Sequence, residues 1–171
     1  EESPLAIRFV DMTEDVGLDF VHQSGPSDDY SLPAVMGGGV AVLDYDSDGD
    51  LDIYLVNSGN ARNRLFRQEP DGRFRDVTES SGLGDSGYGM GCAIGDYDND
   101  GDLDVFVTNW GQNALYRNNG RSADGRVDFS EVAAEVGLGG SHFSTSSIFL
   151  DYDRDGYLDL YVTQYVDFDP R

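Results

Sequence analysis

The chain has 171 residues, with 11 Lys and Arg against 33 Asp and Glu, and a formal charge of −22 at pH 7. Its 39% hydrophobic and 12% aromatic residues supply enough apolar material for a core, which excludes wholesale disorder. The charge repels nucleic-acid phosphates and anionic lipid headgroups, so neither is an expected partner, and no window approaches the ~20 consecutive apolar residues of a membrane helix.

The chain opens Glu1-Glu2, without an initiator Met or the basic and apolar parts of a signal peptide, as expected of a mature product or an excised fragment. The piece Phe9-Val-Asp-Met-Thr-Glu14 is expected to form a strand. It returns as Phe74-Arg-Asp-Val-Thr-Glu79 and Phe129-Ser-Glu-Val-Ala-Ala134, and each copy leads into Gly-Leu, at Gly17, Gly82 and Gly137. A longer piece runs from Met36 to Asn57 around Asp44-Tyr-Asp-Ser-Asp-Gly-Asp-Leu-Asp52. It recurs from Tyr88 to Asn109 around Asp96–Asp104, 52 residues on, and from Phe143 to Gln164 around Asp151–Asp159, a further 55 residues on. Between these pieces, Asn63-Arg-Leu-Phe-Arg67 recurs as Asn113-Ala-Leu-Tyr-Arg117.

The unit therefore has four strand-length pieces separated by Gly, Asp and Asn turns. Val40–Leu43 and Ile53–Val56 are apolar on consecutive positions, which suits strands covered on both faces. Helical periodicity is weak throughout. Four short strands repeated at about fifty residues make an all-β, propeller-type blade. The division is a partial blade at 1–35, whole blades at 36–87 and 88–142, and a partial blade at 143–171, too few for a closed ring from one chain.

In each acidic loop, Asp stands at positions 1, 3, 5 and 9 and Gly at position 6. Two like charges ~4 Å apart at an effective dielectric near 20 repel by about 4 kcal/mol, so convergent carboxylates call for a cation. The loops hold no His, Cys or Met, and hard oxygen ligands select Ca²⁺, favoured over Mg²⁺ because a flexible carboxylate cage suits ~6 to 8 ligands. The expected ligands are the side chains of Asp44, Asp46, Asp48 and Asp52 with the carbonyl of Asp50. Loop two offers Asp96, Asp98, Asp100 and Asp104 with the carbonyl of Asp102, and loop three Asp151, Asp153, Asp155 and Asp159 with the carbonyl of Tyr157. Gly49, Gly101 and Gly156 are expected in the left-handed conformation that reverses the loop, and Arg154, at position 4, points outward. An EF-hand needs Glu at position 12 and flanking helices; Leu55, Val107 and Val162 in strand-like runs exclude it.

These residues resemble the FG-GAP, or VCBS, repeat of the integrin α-subunit β-propeller, and the whole chain resembles its bacterial ASPIC/UnbV, or CRTAC-like, branch. The matching motifs are Val35-Met-Gly-Gly-Gly-Val-Ala41, the strands at Leu65 and Leu115, Phe74–Glu79, and Tyr165-Val-Asp-Phe-Asp-Pro170. The resemblance implies a secreted, periplasmic or cell-surface protein with structural Ca²⁺ between the first two strands of each blade. It supplies no catalytic residue.

No nucleophile, base and orienter can be assembled from the spacing, so no enzyme is expected of this chain. His22 and His142 read as loop or packing residues, Cys92 as a buried apolar one, and Trp110 as blade core in preference to a ligand-binding rim. The leading reading is a calcium-stabilised structural or binding scaffold outside the cell, with a protein or saccharide ligand. The alternatives are the scaffold of a carbohydrate-active enzyme and a fibre subunit associating head to tail through open blade edges.

Overall fold

The computed structural model describes residues 8–25, 32–59 and 61–165. A one-turn helix, α1 (Leu32–Val35), precedes four antiparallel strands, β1 (Val40–Leu43), β2 (Asp52–Leu55), β3 (Arg64–Gln68) and β4 (Phe74–Asp76), paired in chain order. The short helix α2 (Thr78–Ser81) leads to β5 (Tyr88–Gly95), β6 (Asp104–Gln112), β7 (Ala114–Arg121) and β8 (Val127–Glu131), which repeat the arrangement. The hairpin of β9 (Ser141–Leu150) and β10 (Asp159–Gln164) follows. Strand β6 joins the second and third groups, because its far end, Trp110–Gln112, leaves β7 and pairs with Phe143–Ser141 of β9. No helix of the described residues is long and apolar enough to cross a membrane.

Alternation of side chains across each strand builds two cores, one on each face of the middle sheet. Leu43, Tyr45, Tyr54 and Val56 of the first group pack against Val105, Val107, Tyr116 and Phe129 of the second. On the opposite face, Phe106 and Leu115 meet Phe149, Leu160 and Val162 of the third. Tyr54, Leu65, Phe106, Val105 and Val107 are fully buried. Truncating one such side chain to Ala costs roughly 2–5 kcal/mol.

The recurrent Gly-Leu has a clear local role. Gly82 caps α2 in the left-handed conformation, its N–H reaching the Thr78 carbonyl, and Leu83 enters the first core with no exposure.

Two expectations are corrected. The strand expected at Phe9–Glu14 does not form: Phe9 is 95% exposed, Thr13–Gly17 form a turn, and the contact to the sheet is the Phe74 N–H bonded to the Val16 carbonyl at 2.7 Å. A strand needs a neighbour on its hydrogen-bonding edge, and Phe9–Asp11 are in no strand pairing. The two-faced covering of the first hairpin also fails, since Val40 and Val42 are 64% and 58% exposed while Leu43, Tyr54 and Val56 are buried. Among the described residues, only one face of that sheet has a blade against it.

Successive inner strands approach closely where the sequence is glycine-rich. A Cβ on Gly39 would lie 2.8 Å from the Cα of Gly91, and one on Gly91 would lie 3.0 Å from the Thr145 carbonyl oxygen. Backbone contact of this kind leaves no room for a side chain. Gly39→Val is expected to cost about 1–3 kcal/mol in denaturant unfolding. Gly37→Ala, at a position with open space around its Cβ, should stay within about 0.5 kcal/mol of the parent.

Candidate metal centres

The three acidic loops share one hydrogen-bond scheme. The carboxylate at position 1 accepts the N–H groups of positions 5 and 6: Asp44 from Asp48 and Gly49 (3.1 and 3.0 Å), Asp96 from Asp100 and Gly101 (3.0 and 2.9 Å), Asp151 from Asp155 and Gly156 (both 3.1 Å). The carboxylate at position 5 accepts the N–H of position 7, at 2.9 Å from Asp50, 3.0 Å from Asp102 and 2.8 Å from Tyr157. Gly49, Gly101 and Gly156 have φ of 94°, 96° and 91°, as the sequence predicts. Position 4 is also left-handed, with φ of 55° at Ser47, 59° at Asn99 and 66° at Arg154. Sequence reading missed this second reversal; the short polar Ser47 and Asn99 were its signal, and Arg154 masked it.

These turns bring carboxylates together. One oxygen each from Asp44, Asp46 and Asp48 lies within 4.8 Å of the others, and the same holds for Asp96, Asp98 and Asp104 and for Asp151, Asp153 and Asp159. Asp52, Asp100 and Asp155 belong to the same loops but fall outside those triplets, and Asp50, Asp102 and Tyr157 stand at position 7. An all-carboxylate set offers only hard oxygen donors, which suits a hard cation. Asp46 strengthens the fit: it is 6% exposed, and its Oδ1 has no hydrogen-bond partner. Its nearest cation is Arg121, 3.7 Å away.

Position 9 fastens each loop to its sheet. Asp52 accepts the Tyr45 N–H at 3.1 Å and the Gln68 N–H at 2.8 Å, tying the loop start to β3; Asp104 does the same with Tyr97 and Asn118, both at 2.9 Å. Both are completely buried, and burial pushes each carboxyl up to about 6 against the opposing pull of those two N–H groups. Asp159 accepts the Tyr152 N–H at 2.8 Å and remains exposed, no third strand lying beside β10 among the described residues. Asp46 and Asp98 are also raised, first by burial and then by the neighbouring carboxylates of Asp48 and Asp100.

The loops are linked to one another. Asn118 donates its side-chain amide to the Tyr45 carbonyl at 2.9 Å, Arg121 reaches the Asp46 carbonyl, and Asn99 donates to the Gly156 carbonyl at 3.0 Å. Asn63 and Asn113, which open the repeated third-strand piece, accept the N–H groups of Asn57 and Asn109 at 2.7 and 2.9 Å and pin the far ends of β2 and β6. Their recurrence at one place in the repeat was the available signal.

The remaining residues singled out in the sequence lie away from the loops. Trp110 is 44% exposed, between Tyr88 and Phe143 with ring centroids at 5.4 and 6.4 Å, on a rim and not in a blade core as expected. The cause is the turn of β6 toward β9, which carries Trp110 past the end of β7. Cys92 lies within β5, half-buried against the first core, and burial pushes its thiol up to about 11. His22 is half-buried with Nε2 unpartnered, and His142 is exposed in β9 opposite Gly111.

The raised carboxyls of Asp52 and Asp104 define a pH dependence in chelator. Their folded values near 6 exceed the unfolded value of about 3.9, so the folded state holds extra protons between those limits. Their contribution is present in full below pH ~4 and is lost as the pH rises through ~6. The denaturation midpoint in chelator is therefore expected to fall from pH 4 to pH 7, and to fall less in an Asp52→Asn, Asp104→Asn double variant.

An FG-GAP-like repeat family model matches twice, at residues 44–107 and 96–162, so each match spans two acidic loops. Cartilage acidic protein 1 of Xenopus tropicalis is 32% identical over 127 residues, covering 73% of this chain and 19% of that protein. The proteins of the same name from Mus musculus and Homo sapiens are 31% and 29% identical, each covering 91% of this chain and 23% and 22% of their own length. The chain thus spans about a fifth of the length of these relatives. With two repeat matches in register with the loops and these relatives along its length, the chain belongs to the FG-GAP-like repeat family, in its CRTAC-like branch.

Proposed function

We propose that the chain is a calcium-binding scaffold module of a protein that works outside the cell, in which ions in the three loops hold adjoining blades in register. The observation that carries this reading is the convergence of three carboxylates in every loop, with the buried Asp46 Oδ1 unpartnered in the first. The ligands would be the side chains at positions 1, 3, 5 and 9 with the carbonyl at position 7. A bound cation would supply charge neutralisation, while the protein's own residues do the positioning. Position 1 shapes the turn through two N–H groups, position 9 anchors it to the sheet, and Asn118, Arg121 and Asn99 pass its position to the next loop. Family membership supports a non-enzymatic role, and the matched relatives are named as acidic proteins of cartilage. A secreted or cell-surface location fits that reading.

Thermal unfolding with and without calcium tests it. For sites with Kd ~10 μM at ~1 mM free calcium, linkage contributes about 2.7 kcal/mol per site. Chelation is therefore expected to lower the Tm by many degrees, and an unchanged Tm would overturn the proposal. Asp96→Ala should reproduce part of the loss. Asp102→Ala should do much less, since position 7 offers its carbonyl.

A further inference from the structure

The end of β7 in the second blade lies against the start of the first acidic loop, and both blades of that junction carry all four strands. Strand β7 is irregular there. Its register with β8 shifts between Asn118 and Arg121, and Gly120 between them is left-handed at φ 72°. A bulge of this kind re-aims the side chain beside it, and the Arg121 guanidinium reaches across the junction. Its Nη1 donates to the Gly125 carbonyl at 3.2 Å and its Nη2 to the Asp46 carbonyl. Two carbonyls, one from each blade, thus hold the group in place.

The charge so placed faces the Asp46 carboxylate without using its lone pairs. Nη2 stands 3.7 Å from Oδ1, too far for a hydrogen bond, and Oδ1 has no hydrogen-bond partner. Asp46 is 6% exposed, so solvent and salt screen it poorly on its own side. Arg67 lines the same cavity as Asp46, but Glu69 meets its charge at 2.7 Å. Arg121 has no carboxylate partner besides Asp46 among the described residues.

We infer that Arg121 is a built-in counter-charge for the first loop, which sets the cation affinity of that loop below what its carboxylates alone would give. This rests on the cation reading above. In the ion-free loop the guanidinium offsets part of the repulsion among Asp44, Asp46 and Asp48; once Asp46 is shared with a divalent ion, the same guanidinium repels that ion. Arg121 therefore stabilises the junction without calcium and weakens calcium binding. A residue that only packs would not combine those two effects.

Calorimetric titration of calcium into the metal-stripped chain tests this, read as the product of the stepwise association constants, which needs no assignment of ions to loops. Arg121→Gln is expected to raise that product about tenfold. Tenfold is equivalent to ~1.4 kcal/mol, the order of repulsion that a unit charge a few ångströms away exerts on a divalent ion even at the dielectric of bulk water. Arg121→Lys, which keeps the charge, should stay near the parent. The gain should persist in an Asp96→Ala background, which disables loop two, and vanish in Asp44→Ala, which disables loop one. Melting supplies the second arm: Arg121→Gln should lower the Tm in chelator and widen the rise in Tm on adding calcium. If the Gln variant fails to fold when stripped, Arg121→Met, which keeps the apolar stem, replaces it with the same expectation. A parent that binds no calcium overturns the cation reading and this inference with it. Three bound ions with a product that Arg121→Gln leaves unchanged or lowers, or a gain that survives Asp44→Ala, overturns this inference alone.

Discussion

Mutual repulsion among carboxylates held a few ångströms apart is the constraint on which this structure depends. Nine Asp side chains are gathered in three triplets, each within 4.8 Å, on a chain that already carries a charge of −22. Backbone N–H groups absorb part of that charge, two at every position-1 carboxylate and one at every position-5 carboxylate. They do not reach the buried Oδ1 of Asp46. The turn that joins the first two strands of each blade is thus built from groups that favour a nearby positive charge. Its tightness comes from two residues in the left-handed region, at positions 4 and 6.

That constraint reaches the sheets through position 9. Asp52 and Asp104 are buried acids that bind the loop start with one oxygen and the third strand with the other. Burial favours their neutral form and raises both carboxyls, so the link between loop and sheet is sensitive to protonation. The links from Asn118 and Arg121 to the first loop, and from Asn99 to the third, make the loops a connected row. An ion bound in one loop would therefore bear on the register of two blades.

Much of the architecture was legible because the repeat marks it. The Asp-rich turns locate the first two strands of each unit, β-branched and aromatic runs give the strands, and Gly-Leu marks the return to the core. Misreadings arose where local pattern meets tertiary context. The piece at Phe9 matches the fourth strand in residues but pairs with no strand among the described residues. Val40–Leu43 is apolar throughout, yet among the described residues a blade covers only one of its faces. Trp110 left the core because β6 changes partner after Val107, an event no local period announces. At the loops the carboxylates were readable from spacing, while the Asn and Arg side chains that tie one loop to the next act across 57 to 75 residues and were not.

The central claim, that each loop is a cation cage, is tested most directly by calorimetric titration of calcium into metal-stripped protein at neutral pH. The account predicts three ions bound per chain, falling to two in Asp96→Ala, with proton release growing as the pH is lowered toward 6. Saturation without heat, or a stoichiometry unchanged by Asp96→Ala, would contradict it.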